Sequence, residues 1–189
     1  SPLARAEWMK FYGMLFDATP QADSIFTEVE HDYHLLKEKA ATACKKKARQ
    51  SILMDKQTGS VWYVPGGNST IGKMITDASA AYAWSEDEHS GSLALPFESV
   101  LEKAGDASFW LFRYNTPLPI TYASLLSEQK GYSQFGAFQK KNAYGCNTAT
   151  STFYEDTPFH PNLLLRDFVT ILYPELRLGE PHYFIKLQQ

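Results

Sequence analysis

Hydrophobic residues follow two different spacings along this chain, one typical of helices and one typical of buried strands. Near the N-terminus, apolar and aromatic residues recur every three or four positions over 4–16, which predicts a helix with one apolar stripe. The same spacing predicts a longer helix over about 20–43, with many charges on its opposite face. Shorter helices are predicted at about 69–78, 96–104 and 162–173.

Short, continuously apolar runs separate these helices and predict strands that are buried on both faces. They lie at 51–56, 109–112 and 142–146, and 183–185 is either an edge strand or a tail. Strands that alternate with helices predict right-handed crossovers and a mostly parallel sheet. The predicted fold class is therefore α/β, a Rossmann-like lobe of three layers preceded by a long helix.

Composition narrows the classes of function. The chain of 189 residues has 44% hydrophobic and 14% aromatic residues, enough for a sizeable core, and a formal net charge of −3. That charge disfavours non-specific binding to nucleic acid. Two cysteines, Cys44 and Cys146, leave both a disulfide and two separate thiols open, and they do not decide the compartment.

The segment between the first predicted strand and the helix at 69–78 carries the first candidate site. Trp62 and Tyr63 precede a Pro65-Gly66-Gly67 turn, in a predicted loop at the carboxyl edge of the sheet, where ligands bind in such folds. Solvent-facing aromatics there favour a flat, bulky ligand. Because neighbouring residues of an extended chain point in opposite directions, one of the pair can instead pack under the loop.

Two further loops are predicted at the same edge. Arg113 and Tyr114 end the second strand, and Phe153 and Tyr154 follow the third. A cationic side chain would suit an anionic ligand, although an ordinary surface arginine is an equally good interpretation. Three loops that each bring aromatic or cationic groups to one edge predict a binding cleft.

Two local motifs and the order of the elements resemble a known family. The motifs are the loop VPGGNST over 64–70 and the segment LPFESVLEKAGDA over 95–107, and they follow a charged helix that leads into a strand. The chain from Pro20 onward is similar to the C-terminal lobe, with its backbone helix, of helical-backbone periplasmic substrate-binding proteins. The resemblance implies a helical segment at 1–48 that includes the interlobe helix, a ligand-binding lobe at 49–189, and a first lobe that is missing from this chain.

The resemblance also implies the function. Members of the family do no bond chemistry; they deliver iron-siderophores, haem or cobalamin to the permease subunits of ABC importers. A glutamate matching Glu98 docks on an arginine pocket of the permease, whereas its simpler role would be to stabilise a helix N-terminus. Ser92 stands where cobalamin-binding members have a tryptophan, which favours a siderophore or haem as the ligand. A periplasmic location is expected, with a lipid anchor to a bacterial membrane as one form of it, and no cofactor.

Other interpretations remain open from the residues alone. A small α/β enzyme such as a hydrolase would need a nucleophile beside a base, and Cys146 in its apolar strand reads as an inert thiol instead. A doubly wound regulatory domain without a ligand would have its sheet edge plugged by its own side chains. His31 and His34 share a helix face without a third distant ligand, so no metal site is predicted.

Overall fold

The computed structural model describes residues 1–188. Its strands are β1 (Ile52–Met54), β2 (Gln57–Thr58), β3 (Val61–Pro65), β4 (Ser92–Leu95), β5 (Phe109–Tyr114), β6 (Ala143–Asn147) and β7 (Ile185–Lys186). Its α-helices are α1 (Pro2–Ala6), α2 (Trp8–Leu15), α3 (Thr19–Cys44), α4 (Thr70–Asp77), α5 (Phe97–Ala104), α6 (Tyr122–Glu128), α7 (Gly136–Gln139), α8 (Phe153–Asp156) and α9 (Pro161–Leu172). Two 3₁₀-helices lie at Lys130–Gln134 and Pro174–Leu176.

The strands form two sheets. The larger has the order β1-β5-β6-β7, in which β1, β5 and β6 are parallel and β7 joins antiparallel. The smaller has the order β2-β3-β4 and is antiparallel throughout. The α/β class with a mostly parallel main sheet is thereby confirmed, and 183–185 proves to run into an edge strand.

The long helix α3 belongs to the same packed body as the sheets. Its buried residues recur at three- and four-residue intervals, and from Tyr33 to Ala43 they join the main hydrophobic core cluster. The Tyr33 hydroxyl donates to Asp77 at 2.8 Å, and Lys37 pairs with the same carboxylate at 2.6 Å. These contacts fix the C-terminal half of α3 against α4.

Local sequence explains where the helices start. The Ser69 side chain accepts from the Gly72 N–H at 3.0 Å and so caps α4, while Thr121 and Ser124 form a reciprocal capping box on α6. Pro20 fills the first turn of α3, where its missing N–H costs nothing. None of the helices within residues 1–188 is long and apolar enough to cross a membrane.

Three sequence predictions need correction. The segment 61–65 is a strand rather than a loop, and it pairs with a second unpredicted strand at 92–95. The predicted loop 147–161 contains the short helix α8. The predicted helix over 4–16 is divided at Glu7 into α1 and α2. The missed strands are antiparallel partners of one another, so neither has a signal until the other is known.

Candidate functional site

Trp62 is a core residue, and its prediction as a ligand contact is wrong. Its side chain is fully buried, and its indole N–H donates to the Met54 carbonyl at 2.9 Å. The ring packs 5.9 Å from Trp110 and 5.4 Å from Phe135. Because side chains alternate along β3, the burial of Trp62 turns Tyr63 outward, with 49% of its surface exposed.

Tyr63 and Ser92 lie on the small antiparallel sheet. Tyr63 is paired with Ala94, and Ser92 is the exposed first residue of β4, opposite Pro65. The two glycines after β3 serve packing here, because a Cβ at Gly66 or Gly67 would collide with backbone carbonyls of the 84–91 loop. The two glycines thus permit a close approach between two segments of the backbone.

The carboxyl edge of the main sheet holds an ion pair between two of its strands. Asp55 follows β1 directly, and Arg113 lies near the end of β5. The Arg113 Nε–H donates to Asp55 Oδ1 at 2.8 Å, and its Nη2 donates to Oδ2 at 2.6 Å. The Trp110 indole donates to the Asp55 carbonyl at 2.6 Å. This bidentate geometry fixes the guanidinium more firmly than a single contact would.

Electrostatics keep the Arg113 guanidinium charged. Burial alone would lower the pKa of Arg113, but the hydrogen bonds and charge of Asp55 outweigh it and raise that pKa above its ordinary value. The Arg113 side chain remains 28% exposed, against 12% for Asp55. The guanidinium also lies 5.7 Å from the centre of the Phe153 ring. Arg113 is therefore the cation that this edge presents to solvent.

The aromatic residues predicted at this edge divide into buried and exposed members. Phe153 is only 3% exposed and packs against Tyr183 and Phe184, so its prediction as a direct ligand contact is wrong. Its neighbour Tyr154 is 58% exposed. Tyr114 is half-buried, and its ring occupies space that a Cβ at position 145 would take, which explains the glycine there.

A polar cavity adjoins Tyr114. It has a volume of about 290 Å³ and is lined by hydroxyl, amide and imidazole groups, together with apolar atoms of β6 and β7. Its polar lining residues are Tyr114, Asn147, Thr150, Ser151, Thr152, His182 and Tyr183. The structure thus brings Arg113, Tyr114 and Tyr154 together at one edge and adds a polar recess beside them.

Sequence reasoning missed Asp55, the most buried charged residue of this edge. It is 8% exposed and has a positive φ of 60°, a conformation that aspartate and asparagine tolerate better than most residues. The sequence does contain a signal for Asp55, because this residue directly follows the apolar run of β1, just as Arg113 directly follows the apolar run 109–112. The polar residues of 147–152 follow β6 in the same way.

Glu98 is exposed in the first turn of α5, and it makes no ion pair with any residue in the described part of the chain.

Cys146 is fully buried, and its Sγ lies 3.5 Å from the Ser151 hydroxyl. Burial raises the pKa of this thiol. Both cysteines are free, and a thiol protonated in this way is a poor nucleophile.

Comparison with known proteins identifies the family. The sequence profile described as periplasmic binding protein matches residues 3–149. The chain belongs to the periplasmic binding protein family. This membership confirms, at the level of the family, the resemblance seen in the sequence.

Individual relatives are similar in sequence or in fold. An uncharacterised lipoprotein of Methanocaldococcus jannaschii is 27% identical over 194 residues, which cover 98% of this chain and 43% of that protein. A periplasmic haem-binding protein from Pseudomonas aeruginosa superposes with a TM-score of 0.76 at 14% identity, covering 100% of this chain and 66% of the other. For an Fe³⁺-hydroxamate transport protein from Saccharomonospora viridis the TM-score is 0.69 at 16% identity, with coverages of 89% and 55%. The chain thus spans less than two thirds of each of these relatives.

Proposed function

We propose that this chain is the C-terminal lobe of the substrate-binding protein of an ABC importer, and that it binds an iron chelate such as a siderophore or haem. The observation that carries the proposal is the group of exposed Tyr154 and partly exposed Arg113 and Tyr114 at the carboxyl edge of a sheet in a periplasmic binding protein fold. A cation and two phenol rings suit a flat ligand with anionic oxygens. Solved relatives described as haem-binding and Fe³⁺-hydroxamate proteins support this ligand class.

The lobe is proposed to work with a first lobe, so that the ligand is held between the two. An aromatic face on α2 supports this arrangement: its apolar side chains are 47–77% exposed, namely Trp8, Phe11, Tyr12, Leu15 and Phe16. Apolar patches of this kind mark interaction surfaces. The Tyr12 ring packs edge-on against Phe159, with ring centres 5.9 Å apart. Phe159 lies just after α8, the helix that carries the exposed Tyr154, so this face is connected to that part of the edge.

The proposed partners are the permease subunits of the importer, with Glu98 as a docking residue. An exposed carboxylate on a rigid helix can form a charge-assisted, bidentate pair with an arginine. The matching location is periplasmic, or anchored by lipid at the outer face of the membrane, as the name of the lipoprotein relative suggests. Cobalamin stays the second candidate ligand, and the serine at position 92 makes it the weaker one.

A fluorescence titration tests the proposal. Haemin, a ferric hydroxamate and cobalamin are added separately to two proteins. One is this chain alone, and the other is the same chain fused to the proposed first lobe. The fluorescence of Trp110 is expected to report on the site, since its indole donates a hydrogen bond to the Asp55 carbonyl, and Trp62 packs against Trp110. We expect saturable quenching by haemin or the hydroxamate, with tighter binding by the two-lobe protein. Equal affinity of the two proteins would contradict the proposal that a first lobe completes the binding site. If no ligand quenches the fluorescence, iron-chelate binding is contradicted.

A matched pair of variants locates the site. Arg113→Met should weaken binding by roughly tenfold, because it removes charge-assisted hydrogen bonds. Lys140→Met removes an exposed cation after α7, just ahead of the strand β6, and should leave affinity unchanged. Equal losses in the two variants would show that the ligand responds only to net charge.

A further inference from the structure

The side chain of Asp55 does not face solvent enough to be a ligand contact, yet it decides how Arg113 is presented. It is 12% exposed, and both of its carboxylate oxygens accept from the guanidinium, at 2.8 and 2.6 Å. Its backbone is held as well, because its N–H donates to the Leu111 carbonyl at 2.8 Å and its own carbonyl accepts from Trp110. A carboxylate fixed at both ends imposes one orientation on its partner.

Three of the five N–H donors of Arg113 remain available. Asp55 engages Nε and one hydrogen of Nη2, and within residues 1–188 no other group accepts from this guanidinium. The free donors are both hydrogens of Nη1 and the second of Nη2. They form a fork that is already oriented, so a ligand oxygen would not have to order the side chain on binding.

The Asp55–Arg113 pair has no net charge, so it does not supply the positive charge that a strongly anionic ligand would require. Asp55 compensates Arg113, and a second carboxylate, Asp156, ends α8 at the same edge, where the Thr152 hydroxyl donates to it. The recess beside Tyr114 has a polar lining of hydroxyls, an amide and His182. The carboxyl edge of the main sheet therefore offers oriented hydrogen-bond donors without a net positive potential.

We propose that Asp55 is a positioning residue, which orients Arg113 toward an anionic oxygen of the ligand and makes the lobe favour chelates of low negative charge over trianionic ones. This inference rests on the proposed function and narrows its ligand class. A carboxylate-bearing chelate such as haem fits one oriented fork. A ferric tris-catecholate meets no net positive charge in the Asp55–Arg113 pair and is repelled by the nearby carboxylate of Asp156.

The variant Asp55→Asn separates orientation from charge. It removes the negative charge and the bidentate pair, while asparagine accepts the positive φ of this position. We expect haemin affinity to fall by roughly tenfold. Affinity for ferric enterobactin, the tris-catecholate probe, should rise or stay constant because repulsion is relieved. A rise in haemin affinity would show that Asp55 merely weakens an electrostatic site, and would overturn the proposal.

A second variant covers the case in which Asp55→Asn does not fold. Arg113→Lys keeps the charge and an ion pair but loses the planar fork. Positioning predicts that haemin binding falls about as much as in Asp55→Asn, again roughly tenfold. Unchanged haemin binding by Arg113→Lys would overturn the proposal in favour of charge alone.

A measurement without ligand keeps the inference distinct from the proposed function. In ¹⁵N spectra, the Arg113 Nε–H should give a slowly exchanging signal that is lost in Asp55→Asn. A signal that persists in this variant would overturn the positioning role. If the signal is lost as expected but no chelate binds to the unaltered protein, the proposed ligand class fails, and with it the selectivity claimed here.

Discussion

The small antiparallel sheet and the carboxyl edge of the main sheet both carry aromatic residues, but they use them in opposite ways. In the small sheet, the large ring of Trp62 is directed into the core, where it meets Trp110 and Phe135. At the carboxyl edge, Phe153 is buried beneath Arg113 while Tyr154 is exposed. In each of these two aromatic pairs one ring is buried and the other is exposed, and only the exposed ring is free for a ligand.

The largest difference between the regions should appear in stability. Trp62→Ala removes a fully buried indole and its hydrogen bond to the Met54 carbonyl, and should lower the free energy of unfolding by roughly 3–5 kcal/mol. Tyr63→Ala, on the neighbouring exposed side chain, should change it by no more than about 0.5 kcal/mol. Urea denaturation measures both. Similar values for the two variants would mean that Trp62 is not the core residue described here.

This contrast shows how far the sequence could be interpreted. The helices at 97–104 and 161–172 and the strands at 109–114 and 143–147 follow from local apolar spacing, which is visible without knowledge of the fold. The alternation rule allowed one of Trp62 and Tyr63 to be buried, but it could not say which one, because that depends on the position of β4. The partner of Arg113 is far away in sequence, so its bidentate geometry required the structure.

The second difference concerns the permease rather than the ligand. The small sheet leads through β4 into α5, which presents Glu98 to solvent. In the two-lobe protein with its permease, Glu98→Arg should reduce uptake by roughly tenfold or more, because it places like charges together at the proposed arginine pocket. Binding of the chelate to the isolated protein should not change.

The matched control for this variant is Glu102→Arg. Glu102 is exposed on the same helix, one turn further on, and carries the same charge. It should leave uptake close to that of the unaltered protein. If Glu98→Arg transports normally, docking does not involve this carboxylate, and its role is limited to stabilising the start of α5.

The smallest expected effect decides which exposed ring contacts the ligand more closely. Tyr154 follows Phe153, whose ring centre lies 5.7 Å from the Arg113 guanidinium, whereas Tyr63 is on the outer face of the small sheet. Removing one ring contact costs about 0.5–1.5 kcal/mol, so Tyr154→Ala should weaken haemin binding by roughly three- to tenfold. Tyr63→Ala should weaken it by about twofold at most. Both variants keep the core intact, so their affinities can be compared directly by the fluorescence titration. A greater loss for Tyr63→Ala would transfer the main ligand contact to the small sheet, and would make Arg113 a peripheral group.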